Sequence, residues 1–374
     1  MFLKKILAIA AAAVLLTGCC CKKSYNIAFL GDIHYDSNDL HNFEIYKQFN
    51  PKVPFAQGVL NKDGLYSWRS QTLWAIESLG HDTAAIPKNV KMWKEDTPKL
   101  LDNAAKTAKK YNTRYLFQLG DIIQGDAGRY DLHKKMLQGG FDALTSRFDC
   151  PVLINLGNHD LRGPGGMQSW KEIIEASYDR NVKAAERKNS CFYFMLEKDI
   201  YFFYDLLNPD LDMLEKAVNT PSRYFFFISH VPVIPAEAGK MKNMVTDDTE
   251  KLTSLLLKRN AIVLSGHTHG VALYRYTKGE NSITQFIINS TLRDPVRQKN
   301  FKKEVAFNNK KADSKAQNDL WNKLFAGKIN VELLTDGSGF GILRVSDDGV
   351  YVDYYNVDCP KITFTLKNSA RNID

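Results

Sequence analysis

Apolar residues along this chain fall into short, sharply ended runs of four to eight positions closed by Gly, Asn or His, the shape of buried strands. They are Tyr25 to Leu30, Tyr115 to Leu119, Pro151 to Leu156, Phe192 to Leu196, Ile200 to Tyr204, Tyr224 to Ile228 and Ala261 to Leu264. Between them the spacing turns helical. Over Thr97 to Tyr111, Leu100, Leu101, Ala104, Ala105 and Ala108 share one face while Lys99, Lys106 and Lys109 are left to water. Strand, helix, strand is the repeating unit and predicts an α/β fold. Later runs, Ser282 to Ile288, Phe340 to Val345, Val350 to Asn356 and Ile362 to Leu366, come in hairpin-like pairs, with Asp347-Asp348-Gly349 as a turn signal. They predict a second, more antiparallel sheet packed on the first.

Two stretches interrupt this pattern. The first, from about Asp36 to Thr97, holds Pro51, Pro54, Gly58, Asp63-Gly64, Trp68, Trp74 and Trp93, and is loop-rich yet aromatic in the manner of a rim or lid. The second, Arg297 to Asn330, is crowded with Lys and Asn around scattered Phe301, Leu320, Trp321 and Leu324, and predicts a partly helical, solvent-facing excursion. No internal repeat is present. At 374 residues and 44% hydrophobic, the chain has material for a large core, and residues 25–367 are expected to form one domain carrying both insertions.

The N-terminus is set apart from this domain. Met1 to Lys5 is a short basic segment and Ile6 to Leu16 an unbroken apolar one, shorter than the roughly 20 residues a membrane span needs. Residues 1–18 therefore predict an export signal. Leu16-Thr17-Gly18-Cys19 resembles the lipobox of bacterial lipoproteins. That resemblance implies lipidation of Cys19, a tether over residues 19–24, and a membrane-anchored protein on the periplasmic side or the cell surface.

Of the six cysteines, Cys19, Cys20 and Cys21 cluster at this junction, leaving Cys150, Cys191 and Cys359. An odd three is no disulfide framework, and free thiols are expected. The formal charge of +8 falls by two, to +6, when Lys4 and Lys5 leave with the signal. This mild surplus suits phosphate-bearing substrates but falls short of a nucleic-acid patch. The run Lys299, Lys302, Lys303, Lys310, Lys311 and Lys315 reads as a solvated face.

Five short segments carry the chemistry: Gly31-Asp32-Ile33-His34, Gly120-Asp121, Gly157-Asn158-His159-Asp160, His230 in Ser229-His230-Val231-Pro232, and Gly266-His267-Thr268-His269. Each closes an apolar run, and the Asp32, Asp121 and Asn158 segments, each immediately after a strand, are thereby placed at one edge of a sheet, where open α/β sheets bind ligands. Singly they are ambiguous. A Gly-Asp pair is commonly a turn, and His230 alone reads as a satisfied core histidine. Together Asp32, His34, Asp121, Asn158, His230, His267 and His269 form an oxygen and imidazole set with no cysteine, suited to two divalent ions of Mn, Fe or Zn.

This ordered set resembles that of the calcineurin-like metallophosphoesterases, over about residues 25–295. The resemblance implies a four-layer α/β fold, two packed mixed sheets flanked by helices. It further implies that Asp32, His34 and His269 hold one ion, that Asn158, His230 and His267 hold the other, and that Asp121 bridges them. A metal-bridging hydroxide would then attack a phosphomonoester or phosphodiester. His159 would face the substrate, as imidazolium, to stabilise developing charge or protonate the leaving oxygen. One position departs from the pattern. Where many relatives carry Asp three residues after the bridging Asp, this chain has Gln124, which can orient the His159 ring but not stabilise its charge, so a lower histidine pKa is expected. Asp126 or Asp160 are the candidate substitutes. The chain resembles the purple acid phosphatases less well, since their iron site uses a tyrosine ligand and a different first motif, whereas this chain has His34. The extra substrate domain of periplasmic five-prime nucleotidases has no room after the last motif.

Arg129, Arg162 and the Gly163-Pro164-Gly165-Gly166 loop follow the second and third segments closely and are candidate phosphate contacts, each arginine reading equally as a surface ion pair. Tyr35, Tyr66, Trp68 and Trp74 offer rings for a base or sugar, or for core packing. The expected protein is thus an exported hydrolase of phosphoric esters, with a phosphorylated small molecule as substrate and the membrane as partner through its lipid. Two other readings remain: a lipoprotein that only binds phosphorylated ligands, toward which Gln124 leans, and a nuclease, which an anchored exported location disfavours.

Overall fold

The computed structural model describes residues 24–46, 65, 86–243, 248–291, 311–312, 314–335, 337–356 and 361–368. The export signal, Cys19, the rings of Tyr66, Trp68 and Trp74, the lysines from Lys299 to Lys310 and Cys359 lie outside these residues. Among the described residues no helix is long and apolar enough to cross a membrane, and Cys150 and Cys191 are free thiols.

The strands in chain order are β1 (Tyr25–Leu30), β2 (Leu116–Gln118), β3 (Val152–Ile154), β4 (Glu186–Lys188), β5 (Cys191–Leu196), β6 (Asp199–Phe203), β7 (Phe225–Ile228), β8 (Ile262–Ser265), β9 (Val271–Lys278), β10 (Asn281–Ile287), β11 (Ile329–Thr335), β12 (Gly339–Ser346), β13 (Gly349–Asn356) and β14 (Ile362–Asn368). They make two mixed sheets flanked by helices, of six strands ordered β14-β13-β12-β1-β2-β3 and eight ordered β11-β9-β10-β8-β7-β6-β5-β4. In the first, β1, β2 and β3 run parallel. In the second, β6, β7, β8 and β10 run parallel.

The later strands do not form a sheet of their own, as their hairpin spacing predicted. β12 pairs antiparallel with the free edge of β1, Val345 opposite Tyr25, and carries β13 and β14 outward with it. β10 instead pairs parallel with β8. An unpaired edge of the buried β1-β2-β3 unit would leave main-chain groups without partners, and the C-terminal strands cover it. β9 was not legible as a strand because Arg275 interrupts its apolar sequence. That guanidinium donates to the carbonyls of Thr365 and Leu366, at 2.8 and 3.1 Å, and so ties the second sheet to β14 of the first.

Strands apolar on both faces need cover on both. Along β6, Tyr201 and Phe203 belong to the core shared with Phe117 and Phe29 of the first sheet, while Ile200 and Phe202 belong to a separate apolar cluster with Met213, Leu214, Leu252 and Leu256. The last four come from the helices Leu211–Asn219 and Thr249–Lys258, which cover the outer face of the eight-stranded sheet. The helix Lys315–Leu324, in the excursion expected to face solvent, docks here too, with Leu324 and Phe325 buried and Leu320 and Trp321 packed on the cluster. The helix Thr97–Lys110 buries Leu100, Leu101, Ala104 and Ala108, its predicted apolar face, against the first sheet.

At the N-terminal ends of β1 and β6 a polar clasp joins the two sheets. Tyr25 donates to Asp199 Oδ2 at 2.6 Å and meets the Tyr201 hydroxyl at 2.8 Å. Arg223 forms a two-pronged pair with Asp199 and reaches Asp347 in the β12–β13 turn. The side chains of Asp199 and Arg223 are 0% and 7% exposed, so each charge depends on the other. We expect Arg223→Met to lower unfolding free energy by about 3–5 kcal/mol, since it strands a buried carboxylate, and Arg223→Met with Asp199→Leu to recover most of that loss. Urea denaturation of the three proteins measures this; equal stability of Arg223→Met and the native chain would contradict it.

Candidate metal centre

Parallel strands deliver their C-terminal ends to the same side of a sheet, and here both sheets do so together. Asp32 and His34 follow β1, Asp121 follows β2, Asn158 and His159 follow β3, His230 follows β7, and His267 and His269 follow β8. The turns that carry them are sharp. His34, Asp121, His267 and His269 have φ of 45°, 54°, 67° and 51°, a left-handed conformation that costs a residue with a side chain roughly 1–2 kcal/mol. Packing allows nothing bulkier beside them. Gly120 sits at φ 96°, where a Cβ would strike the His230 ring, and a Cβ on Gly157 would strike the main-chain nitrogen of Asp121.

The seven residues expected as ligands are thereby brought together. His269 Nε2 lies 2.9 Å from Asp32 Oδ2 and 3.2 Å from His34 Nε2. In a second group His230 Nε2 lies 3.2 Å from Asp121 Oδ2, 3.1 Å from Asn158 Oδ1 and 3.3 Å from His267 Nδ1. Asp121 Oδ2 is also 4.0 Å from His34 Nε2, which puts one oxygen between the groups. Its other oxygen accepts from the His159 main-chain nitrogen at 2.7 Å.

Such a set is a poor protein–protein contact. Two imidazole nitrogens 3.2 or 3.3 Å apart repel unless a proton or cation lies between them, and Asp32 and Asp121 are only 0% and 1% exposed. Ligands around one ion at metal–nitrogen lengths of about 2.0–2.1 Å stand about 3.0–3.4 Å apart, which is the spacing found. The His230 ring is already oriented for this, because Nδ1 donates to the Leu119 carbonyl at 2.8 Å and leaves Nε2 toward the cluster. The donors therefore fit divalent cations. Without cations, the electrostatics record the same demand. Burial opposes charge on His230, yet the Asp121 carboxylate outweighs it and raises the imidazole to about 9. Burial takes His34 down to about 4 and His267 to about 3.

The support of His159 differs from expectation. Its Nδ1 donates to the main-chain carbonyl of Gln124 at 2.8 Å, not to the Gln124 amide, which turns away and accepts from Asn89 at 2.6 Å. Burial, reinforced by the Arg162 charge, holds the ring well below its usual pKa. Asp160 is no substitute partner for the ring. Its carboxylate instead accepts from the main-chain nitrogens of Gly157, Asp121, Ile122 and Ile123, at 2.8, 3.0, 2.8 and 3.3 Å, and so locks the second segment to the third. Burial and the neighbouring Asp121 charge push Asp160 up to about 7. Asp126 lies 3.7 Å from Arg162 Nη1, and its carbonyl accepts from His41.

The two arginines separate. Arg162 is buried beside His159, whereas Arg129 is a surface residue whose guanidinium pairs with Asp131. Tyr35 packs edge-on against Trp93, with ring centroids 4.7 Å apart, a core use of its ring. Sequence reasoning missed Gln285 on β10, which accepts from the nitrogens of Val233 and Ile234 and donates to the Ile234 carbonyl, fixing the loop after His230. A lone glutamine in an apolar strand was the available signal.

The family model of the calcineurin-like phosphoesterases matches residues 25–271. Among solved structures the fold is similar to a purple acid phosphatase from yellow lupin (Lupinus luteus), with 13% identity and a TM-score of 0.54 over 93% of this chain and 54% of that one. It is similar to PhoD, with 10% identity and a TM-score of 0.53 over 91% and 68%. It is also similar to a dimetal phosphatase from Danio rerio, with 11% identity and a TM-score of 0.50 over 91% and 99%. The chain spans about half the length of the lupin protein, and at these identities the likeness is one of fold. Among curated proteins none matches the sequence.

Because Asp160 organises the turns that carry Asp121 and Asn158, Asp160→Asn should weaken metal affinity about 10–100-fold, the usual effect of an outer-shell partner. Competition with a chromophoric chelator measures this. Affinity equal to that of the native chain would show that the carboxylate does not hold the ligands in place.

Proposed function

This chain belongs to the calcineurin-like phosphoesterases, and from that premise we propose that it hydrolyses a phosphomonoester or phosphodiester at a centre of two divalent metal ions. The observation that supports this best is Asp121 Oδ2 standing between two groups of ligands that otherwise repel. Asp32, His34 and His269 would hold one ion, and Asn158, His230 and His267 the other. When bound, the ions supply Lewis acidity and a water of lowered pKa. A site meant only to bind phosphate has no need of this many ligands around an open centre.

His159 would supply the proton. With Nδ1 committed to the Gln124 carbonyl, Nε2 is the atom free to face substrate. Burial and Arg162 keep the ring neutral at rest, and a phosphoryl anion beside Nε2 favours its protonated form, so protonation accompanies substrate binding. The ring then gives that proton to the leaving oxygen as the phosphorus–oxygen bond breaks. Arg162, buried at the same edge, is the phosphate contact in this reading, and Arg129 is not. The sequence at Leu16 to Cys19 further supports export and lipid anchoring, with the hydrolase held at a membrane facing the periplasm or the exterior.

Purified protein reconstituted with Mn, Fe or Zn should cleave para-nitrophenyl phosphate or its bis ester, lose that activity with a chelator, and lose about 10²–10⁴-fold in kcat with His159→Ala. Bound metal without turnover of any phosphoester would contradict the proposal and favour a phosphate-binding protein. Cys19→Ser should move the protein from the membrane to the soluble fraction; unchanged partition would remove the lipid anchor from the proposal.

A further inference from the structure

The helix Ile86–Glu95 ends the first insertion, the part of the chain without a place in the ligand set. It touches the site's support at two points. Asn89 and Trp93 are four residues apart and so share one face of the helix. Asn89 Nδ2 donates to Gln124 Oε1 at 2.6 Å, and the Trp93 ring packs on Tyr35. The two residues they reach are themselves joined, since the Gln124 nitrogen donates to the Tyr35 carbonyl at 3.1 Å and Tyr35 pairs with Ile123 in an isolated bridge. Gln124 then accepts from His159 Nδ1 through its own carbonyl.

The path is short and entirely physical: helix face, Gln124 side chain and Tyr35 ring, Gln124 main chain, His159 ring. A main-chain carbonyl accepts along a direction fixed by its peptide plane, so its aim depends on what holds that peptide. Gln124 is 1% exposed, and its amide oxygen accepts from Asn89. We propose that Asn89 and Trp93 are positioning residues, through which the insertion aims the carbonyl that orients His159. The insertion would thereby do through the peptide at Gln124 what a carboxylate would do by touching the ring directly. For its kinetic consequence this rests on His159 being the proton donor proposed above.

The test is the Asn89→Ala chain beside Asn89→Asp, which can still bond the Gln124 amide once that amide turns its nitrogen outward. A misaimed proton donor matters most when the leaving group is a poor one. We expect Asn89→Ala to lower the ratio of kcat for an alkyl phosphoester to kcat for the para-nitrophenyl ester about tenfold, a fraction of what a general acid contributes, with KM little moved and Asn89→Asp restoring the ratio. Independently of turnover, nitrogen-15 histidine spectra of the zinc-loaded chain, assigned with His159→Gln, should show His159 protonated at Nδ1 in the native protein and a mixture of ring states in Asn89→Ala. Unchanged spectra, or an equal loss on both esters, would overturn the inference. A native chain that cleaves no phosphoester would overturn the proposed function instead, and the spectra would still decide the positioning role.

Discussion

Everything at the centre follows from placing two carboxylates, Asp32 and Asp121, where water cannot reach them. A buried carboxylate must be protonated, paired or bound to a cation. Hydrogen bonds meet part of this requirement: His267 donates its main-chain nitrogen to Asp32, and His159 donates its own to Asp121. The remainder falls to imidazoles that crowd one another closely enough to compete for the same proton. Divalent cations held among them, as proposed above, would resolve the carboxylate charge and the nitrogen repulsion at once.

The rest of the fold holds that arrangement in place. Two sheets with parallel segments end at the same edge, so five turns from distant parts of the chain converge without long loops. Left-handed backbone at four ligands is tolerated because each turn is held from several sides. Asp160 gathers four main-chain nitrogens, Gln285 fixes the loop after His230, and the Tyr25, Asp199 and Arg223 clasp sets how the sheets meet at their far ends. Strain at the centre is offset by order around it.

The clustering of the seven candidate ligands and the α/β class were legible in the sequence because both are local. Each ligand sits within a few residues of an apolar run, and a strand ending in Gly-Asp or Gly-His announces its edge. What was not legible depended on contacts across the chain. Hairpin spacing between β12, β13 and β14 says that they pair with one another, but not that β1 offers them an edge. The Gln124 residue type suggested an amide against the His159 ring; its side chain is drawn elsewhere by Asn89, more than thirty residues away, and its carbonyl takes the ring instead. Arg129 and Arg162 look alike as neighbours of their motifs. Only the burial of one and the Asp131 partner of the other separate them.

Anomalous diffraction from crystals of the metal-reconstituted protein, recorded on both sides of the metal's absorption edge, tests the central claim most directly. The account predicts two peaks, one among Asp32, His34 and His269 and one among Asn158, His230 and His267, with Asp121 between them. A single peak, or ions bound away from these residues, would contradict it.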